Sequence, residues 1–140
     1  MKRLDYFTIG LVIIICVGFY ITYFIYKPDA GDVIEIYYQD MLLNRFNIAD
    51  DLVINISGTL GEKKITMEYN ETKEDFYEIV LIKDFLNIIQ IKNQEITMRD
   101  ADCKNKNCTY MIINNNNVRP IVCTNGIIVR MSRDDVNIIA

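Results

Sequence analysis

Val118-Arg-Pro-Ile-Val-Cys-Thr-Asn-Gly-Ile-Ile-Val-Arg-Met131 carries, in one short stretch, the signals that decide the fold. Two runs rich in β-branched residues, Val118 to Thr124 and Ile127 to Met131, flank Asn125-Gly126, a pair that favours positive φ and predicts a two-residue type I′ hairpin turn. Pro120 has no N–H to give to a ladder, which places the first run at a sheet edge or a bulge. Upstream the same punctuation recurs. Val33 to Tyr38 and Leu42 to Ile48 flank Gln39 and Asp40, and Leu52 to Ile56 and Lys64 to Tyr69 flank Gly58 and Gly61, so each pair reads as a hairpin. Asn70 to Asp75 reads as a polar, mobile connection. Tyr77 to Ile82, Ile88 to Ile91 and Glu95 to Met98 resume the strand pattern, with Lys92, Asn93 and Gln94 as a turn. Tyr110 to Ile113 is a further strand, joined to Val118 by a loop over Asn114 to Asn117. None of these segments has helical periodicity, and the fold class expected is all-β, a small antiparallel sandwich or barrel of short hairpins.

The amino-terminal end is built differently. Tyr6 to Tyr26 is a run of 21 residues without a charged side chain. As a helix it reaches roughly 31 Å at about 1.5 Å per residue, close to the hydrocarbon thickness of a bilayer. Tyr6 and Tyr26 bracket the run with aromatic rings suited to the two interfaces, Ile14 lies near its centre, and Cys16 reads as a small lipid-buried hydrophobe. A cleaved signal peptide is the rival, but the apolar stretch is long for one and no small-x-small site follows before Lys27 and Pro28. Lys2 and Arg3 precede the run, whereas Lys27 is followed by Asp29, Asp32 and Glu35, so the short amino terminus is expected to stay in the cytoplasm. The organisation that follows is a cytoplasmic end over 1–5, a transmembrane anchor over 6–26, a linker over 27–32, an extracytoplasmic β domain over 33–133 and a tail over 134–140.

Composition narrows the function. The 140 residues hold 15 Lys and Arg, 19 Asp and Glu and no His, a net charge of −4. Without histidine there is no Ser-His-Asp or Cys-His nucleophile system and no imidazole for zinc. The negative balance is the wrong sign for a phosphate backbone, so no nucleic-acid partner is expected. Asn-x-Ser/Thr triplets at Asn55, Asn70 and Asn107 matter only in a host that glycosylates exported proteins. Paired acids such as Asp100 and Asp102, or Asp134 and Asp135, read as solvated loop groups rather than as a cation site.

Cys103, Cys108 and Cys123 are the cysteines outside the apolar run, and three chemistries compete for them: a structural disulfide with one thiol left over, a thiolate metal site, or a redox pair. A zinc site needs a fourth ligand and usually Cys-x-x-Cys spacing, so no metal is expected. A loop centred between Asn115 and Asn116 would set Cys108 opposite Cys123 in an antiparallel ladder, at a separation a disulfide tolerates. Cys103 would then be the one reactive thiol. The alternative pairing, Cys103 with Cys108, closes a short loop without any assumption about strands.

Ala101-Asp102-Cys103, then Cys108, then Ile121-Val122-Cys123 resembles the motif of the NusG domain II-like family, with departures at Lys104, Thr124 and Asn125. The resemblance covers roughly Val33 to Arg133 and is most specific at the cysteines. It implies a small β domain tethered outside a Gram-positive cell by one amino-terminal span, an accessory of an envelope system sometimes associated with flavin-linked electron transfer. No residue here is assigned to a flavin, and no cofactor is expected. The resulting expectation is a membrane-anchored binding or scaffold module, not an enzyme, whose partners are the lipid bilayer and another envelope protein. The alternative is a thiol-disulfide redox partner using the three cysteines.

Overall fold

The structure, a computed structural model, describes the backbone of residues 3–25 and 32–132 and the side chains of residues 10–22 and 32–132. Tyr26, the linker up to residue 31, the tail over 134–140 with Asp134 and Asp135, and the side chain of Tyr6 lie outside the described residues. One helix, α1 (Arg3–Ile25), precedes ten strands. These are β1 (Val33–Tyr38), β2 (Met41–Asn47), β3 (Leu52–Thr59), β4 (Lys64–Tyr69), β5 (Thr72–Phe76), β6 (Phe85–Lys92), β7 (Glu95–Ala101), β8 (Ile112–Ile113), β9 (Ile121–Val122) and β10 (Ile127–Ser132). All pairings are antiparallel, in a four-stranded sheet of order β2-β1-β10-β9 and a six-stranded sheet of order β5-β4-β3-β6-β7-β8. The all-β expectation therefore stands, with one helix at the amino terminus. Among the described residues no helix is long and apolar enough to cross a membrane. The described α1 side chains from Leu11 to Val17, and Phe19 to Ile21, are nonetheless largely exposed apolar groups.

Period-two burial builds the core. In β3, Leu52, Ile54 and Ile56 are buried while Val53, Asn55 and Ser57 face water, and β6 repeats this with Phe85, Ile89 and Ile91 inside. Each fully buried Ile or Leu contributes about 1.5–3 kcal/mol of transfer free energy. Both sheets give to the same core. Tyr38 of β1 stacks on Phe85 of β6 at 5.4 Å, and Phe46 of β2 meets Tyr69 of β4 edge-on at 4.8 Å. Gly58 lies opposite Phe85 in the ladder, and a Cβ there would come within 2.5 Å of the Phe85 ring. The glycine is what lets that ring lie flat across β3.

Four local expectations fail, each for a physical reason. Asn70 to Asp75 is not a mobile connection: Asn70 and Glu71, at φ 48° and 77°, make a tight turn into β5. That strand is an edge, and Lys64–Asp75 (2.9 Å), Thr66–Asp75 and Tyr69–Glu74 pairs across the ladder stand in for apolar packing. Tyr77 to Ile82 has strand composition but no strand. Glu78 sits at φ 63°, Leu81 alone is buried, and Tyr77, Val80 and Ile82 are 66%, 74% and 77% exposed. Asn125-Gly126 does not form a two-residue turn, because Cys123 N–H donates to the Ile127 carbonyl (2.8 Å) and Gly126 N–H to the Cys123 carbonyl (2.9 Å). The loop thus has three residues, with Gly126 at φ 91° and Asn125 outside the left-handed region. Finally, the loop at Asn114 to Asn117 closes tightly, but β8 pairs with β7 while β9 pairs with β10, so this connection crosses from one sheet to the other. Pro120 does precede an edge strand, as its missing N–H requires.

Candidate thiol site

The end of β7 delivers the first cysteine. Ala101 closes the strand, Asp102 N–H continues the ladder to the Leu86 carbonyl (3.1 Å), and the chain then turns at Cys103, with Lys106 N–H reaching back to the Cys103 carbonyl (3.3 Å). Lys106 takes the left-handed conformation, φ 49°, and a single 3-10 turn over Asn107–Tyr110 follows. Thr109 locks that turn through its backbone N–H and its hydroxyl, both donating to the Lys106 carbonyl. Outside it, Lys106 Nζ pairs with Asp100 Oδ1 at 3.1 Å, which holds the Lys106 ammonium above and the Asp100 carboxyl below their usual pKa ranges. Cys123 arrives from the other sheet, as the residue after β9.

Three sulfurs meet where the two sheets join. Cys103 Sγ lies 3.5 Å from Cys108 Sγ, Cys108 Sγ lies 3.4 Å from Cys123 Sγ, and all three fall within 4.8 Å of one another. They are 5%, 1% and 3% exposed, and none is bonded to another. Cys16, on α1, is exposed and separate. The ladder geometry expected for Cys108 and Cys123 is absent, since Cys108 sits in the 3-10 turn rather than in a strand; the two sulfurs approach through tertiary packing instead. The expected exposed thiol at Cys103 is likewise corrected, because the turn after Asp102 points that sulfur inward. The rest of the motif divides by strand periodicity: Ala101 and Ile121 are buried, while Asp102 and Val122 face outward.

Two asparagines that sequence patterning overlooked complete the site. Asn87, fully buried on β6, donates from Nδ2 to Cys123 Sγ (3.1 Å) and lies 3.5 Å from Met98 Sδ. Asn125, read as a turn former, donates from Nδ2 to Asn87 Oδ1 (3.0 Å) and to Asp102 Oδ1 (2.7 Å). Its own Oδ1 is buried without a hydrogen-bond partner. Asn87 left one signal in the sequence, a polar residue in the inward phase of Phe85, Ile89 and Ile91.

Burial acts on the thiols unequally. At Cys103 desolvation favours the neutral form, but hydrogen bonds from Cys108, Cys123, the Lys106 N–H and Thr124 outweigh it and hold the group below the usual thiol range. At Cys108 burial and the neighbouring sulfurs act together and push the thiol well above that range. The site therefore holds one sulfur whose ionisation its neighbours ease, one at the centre whose ionisation they oppose, and a third that accepts an amide N–H. No family model, no curated protein and no solved structure matches the chain.

Proposed function

We propose that this protein is a single-pass, membrane-anchored extracytoplasmic β module that serves a cell-envelope system by binding or scaffolding. The observation that carries this reading is the uncharged run Tyr6 to Tyr26, which falls almost wholly within the α1 helix and has large apolar groups such as Ile14, Phe19 and Tyr20 exposed at 70%, 74% and 65%. An aqueous helix surface of that kind is costly, and lipid would remove the cost. Lys2 and Arg3 set the amino terminus in the cytoplasm and the acidic β domain outside. Exposed Tyr77, Val80 and Ile82, gathered on the irregular segment between β5 and β6, supply an apolar surface for a protein partner. The resemblance to NusG domain II-like proteins supports the same accessory role, including one beside flavin-linked electron transfer.

The test is membrane retention. Arginine at both Ile14 and Val17 costs about 2.5–3.5 kcal/mol per site at a span centre, so the double variant should leave the membrane fraction. Unchanged retention would remove the anchor and the localisation with it. Cross-linking in native membranes followed by mass spectrometry identifies the partner. Thiol-disulfide exchange is the second reading, favoured by the convergence of Cys103, Cys108 and Cys123; their burial weighs against it, because exchange needs an accessible sulfur. Equilibration of these thiols with a glutathione buffer at about −200 mV would favour exchange over scaffolding.

A further inference from the structure

We propose that Cys103, Cys108 and Cys123 form a three-sulfur binding site for one soft monovalent metal ion, Cu(I). The triangle of sulfurs decides between this and internal disulfide exchange. With edges of 3.5 and 3.4 Å and a third no longer than 4.8 Å, the angle at Cys108 Sγ is at most about a right angle. Displacement at a disulfide sulfur needs the attacking and leaving sulfurs nearly in line with it. A bent trio cannot pass a bond from Cys108–Cys123 to Cys103–Cys108 without rearranging.

The same triangle fits an ion. A metal–sulfur bond of about 2.3 Å places three ligating sulfurs roughly 3.8–4.0 Å apart; two of the edges, 3.5 and 3.4 Å, fall short of that spacing by only a small outward movement of the sulfurs, and the third is no longer than 4.8 Å. The donor set chooses the metal. All three ligand atoms are thiol sulfur, and among the described residues no His, Asp or Glu joins the group. Zinc with three protein ligands keeps an open position for water, which suits a cleft rather than sulfurs that are 5%, 1% and 3% exposed. Cu(I) prefers soft sulfur and is content with three donors. Asn87 Nδ2, which contacts Cys123 Sγ at 3.1 Å, is also 3.5 Å from Met98 Sδ, so the amide that orients the trio is itself held by a thioether.

The surroundings are arranged as metal sites arrange them. Asn87 fixes the orientation of Cys123 through its N–H, Asn125 fixes Asn87, and Asp102 fixes Asn125. Asn125 Oδ1, buried and unpartnered, marks a polar shell that the protein alone leaves unfinished. Coordination releases the proton of each thiol that binds as thiolate to solvent, and copper stays Cu(I), so no oxidant or reductant is consumed. The site goes beyond the scaffold reading and does not depend on the anchor.

The experiment uses the full chain, reduced and kept anaerobic in detergent micelles, with Cu(I) delivered from its bicinchoninate complex. The expected result is one Cu(I) per chain, with three sulfur neighbours by X-ray absorption, and the same result for Cys16→Ser. Asn87→Leu should weaken binding by about 10- to 100-fold. Cys108→Ser should lose the three-sulfur signature. If that variant does not fold, as circular dichroism would show, the sulfur count in the wild-type chain still decides. No Cu(I) uptake, fewer than three sulfur neighbours, preference for Zn(II) in direct competition, or a disulfide that resists reduction in the folded chain would each overturn the proposal. Membrane retention of the same variants is measured separately, so failure of the metal site and failure of the anchor are told apart.

Discussion

Two polar clusters are buried in this β domain, and they differ in whether the protein completes them. Glu35, on β1, has a side chain only 4% exposed, yet every donor it needs is present. Arg130 Nε (2.8 Å) and the Tyr37 hydroxyl (2.9 Å) donate to its Oε2, and Arg45 reaches Oε1 at 2.9 Å. Register makes this possible, since Glu35 lies opposite Arg130 on one side and Arg45 on the other. Arg130 also covers the Tyr37 ring at 4.6 Å. The thiol cluster has weak donors, a strongly neutral sulfur at its centre and an orphaned amide oxygen at its edge. A closed network stabilises a fold; the unfinished one coincides with the metal site proposed above.

The largest expected effect breaks the closed network. Arg45→Met with Arg130→Met leaves the Glu35 carboxylate buried beside one hydroxyl and should cost about 3–5 kcal/mol, read by urea denaturation. The pH dependence should change sign with it. In the native protein burial raises the Glu35 pKa, but hydrogen bonds from Arg130 and Tyr37 and the charges of Arg130 and Arg45 outweigh burial and hold it below the ordinary value. Its contribution is therefore present above the unfolded pKa of about 4.3 and is lost as pH falls through the lower folded value. In the double variant burial, the largest influence, is opposed only by the Tyr37 hydroxyl, the folded pKa rises above the unfolded one, and acidification should relieve the penalty instead. Denaturation midpoints between about pH 3 and pH 6 decide it.

Asn87→Leu tests the other cluster. It deletes a donor to Cys123 and an acceptor for Asn125, for an expected loss of about 1–3 kcal/mol. The folded reduced chain should also resist alkylation at Cys103, Cys108 and Cys123 and react at all three once unfolded, because all three sulfurs are buried. Rapid labelling of Cys103 alone would restore the exposed-thiol picture and undo the contrast. Tyr37→Phe should have the smallest effect, about 0.5–1.5 kcal/mol, since the hydroxyl is lost while the ring beneath Arg130 remains. A loss as large as that of the arginine pair would mean that the hydroxyl, not the ion pairs, holds Glu35.

Hairpins were legible wherever both strands were local and apolar on one face. β1 with β2, β3 with β4 and β6 with β7 follow the pattern read from Val33, Leu52 and Ile88 onward, although β3, β6 and β7 run longer than the alternation alone suggested. β5 was hidden because Lys73, Glu74 and Asp75 look like a loop until a neighbouring strand supplies Lys64, Thr66 and Tyr69. Tyr77 to Ile82 misled for the opposite reason: strand composition has no effect without a partner ladder.

The sequence by itself determined the all-β class, the local hairpins, the uncharged amino-terminal run and the identity of the three cysteines, because each is written in side-chain type and short spacing. Tertiary structure alone decided that β9 leaves β8 for the other sheet, that the 3-10 turn swings Cys108 to within 3.4 Å of Cys123, and that Asn87, 36 residues before Cys123, supplies its N–H. Those contacts follow from closing two sheets over one core. The free energy of that closure is non-local, so no short stretch of the chain encodes it.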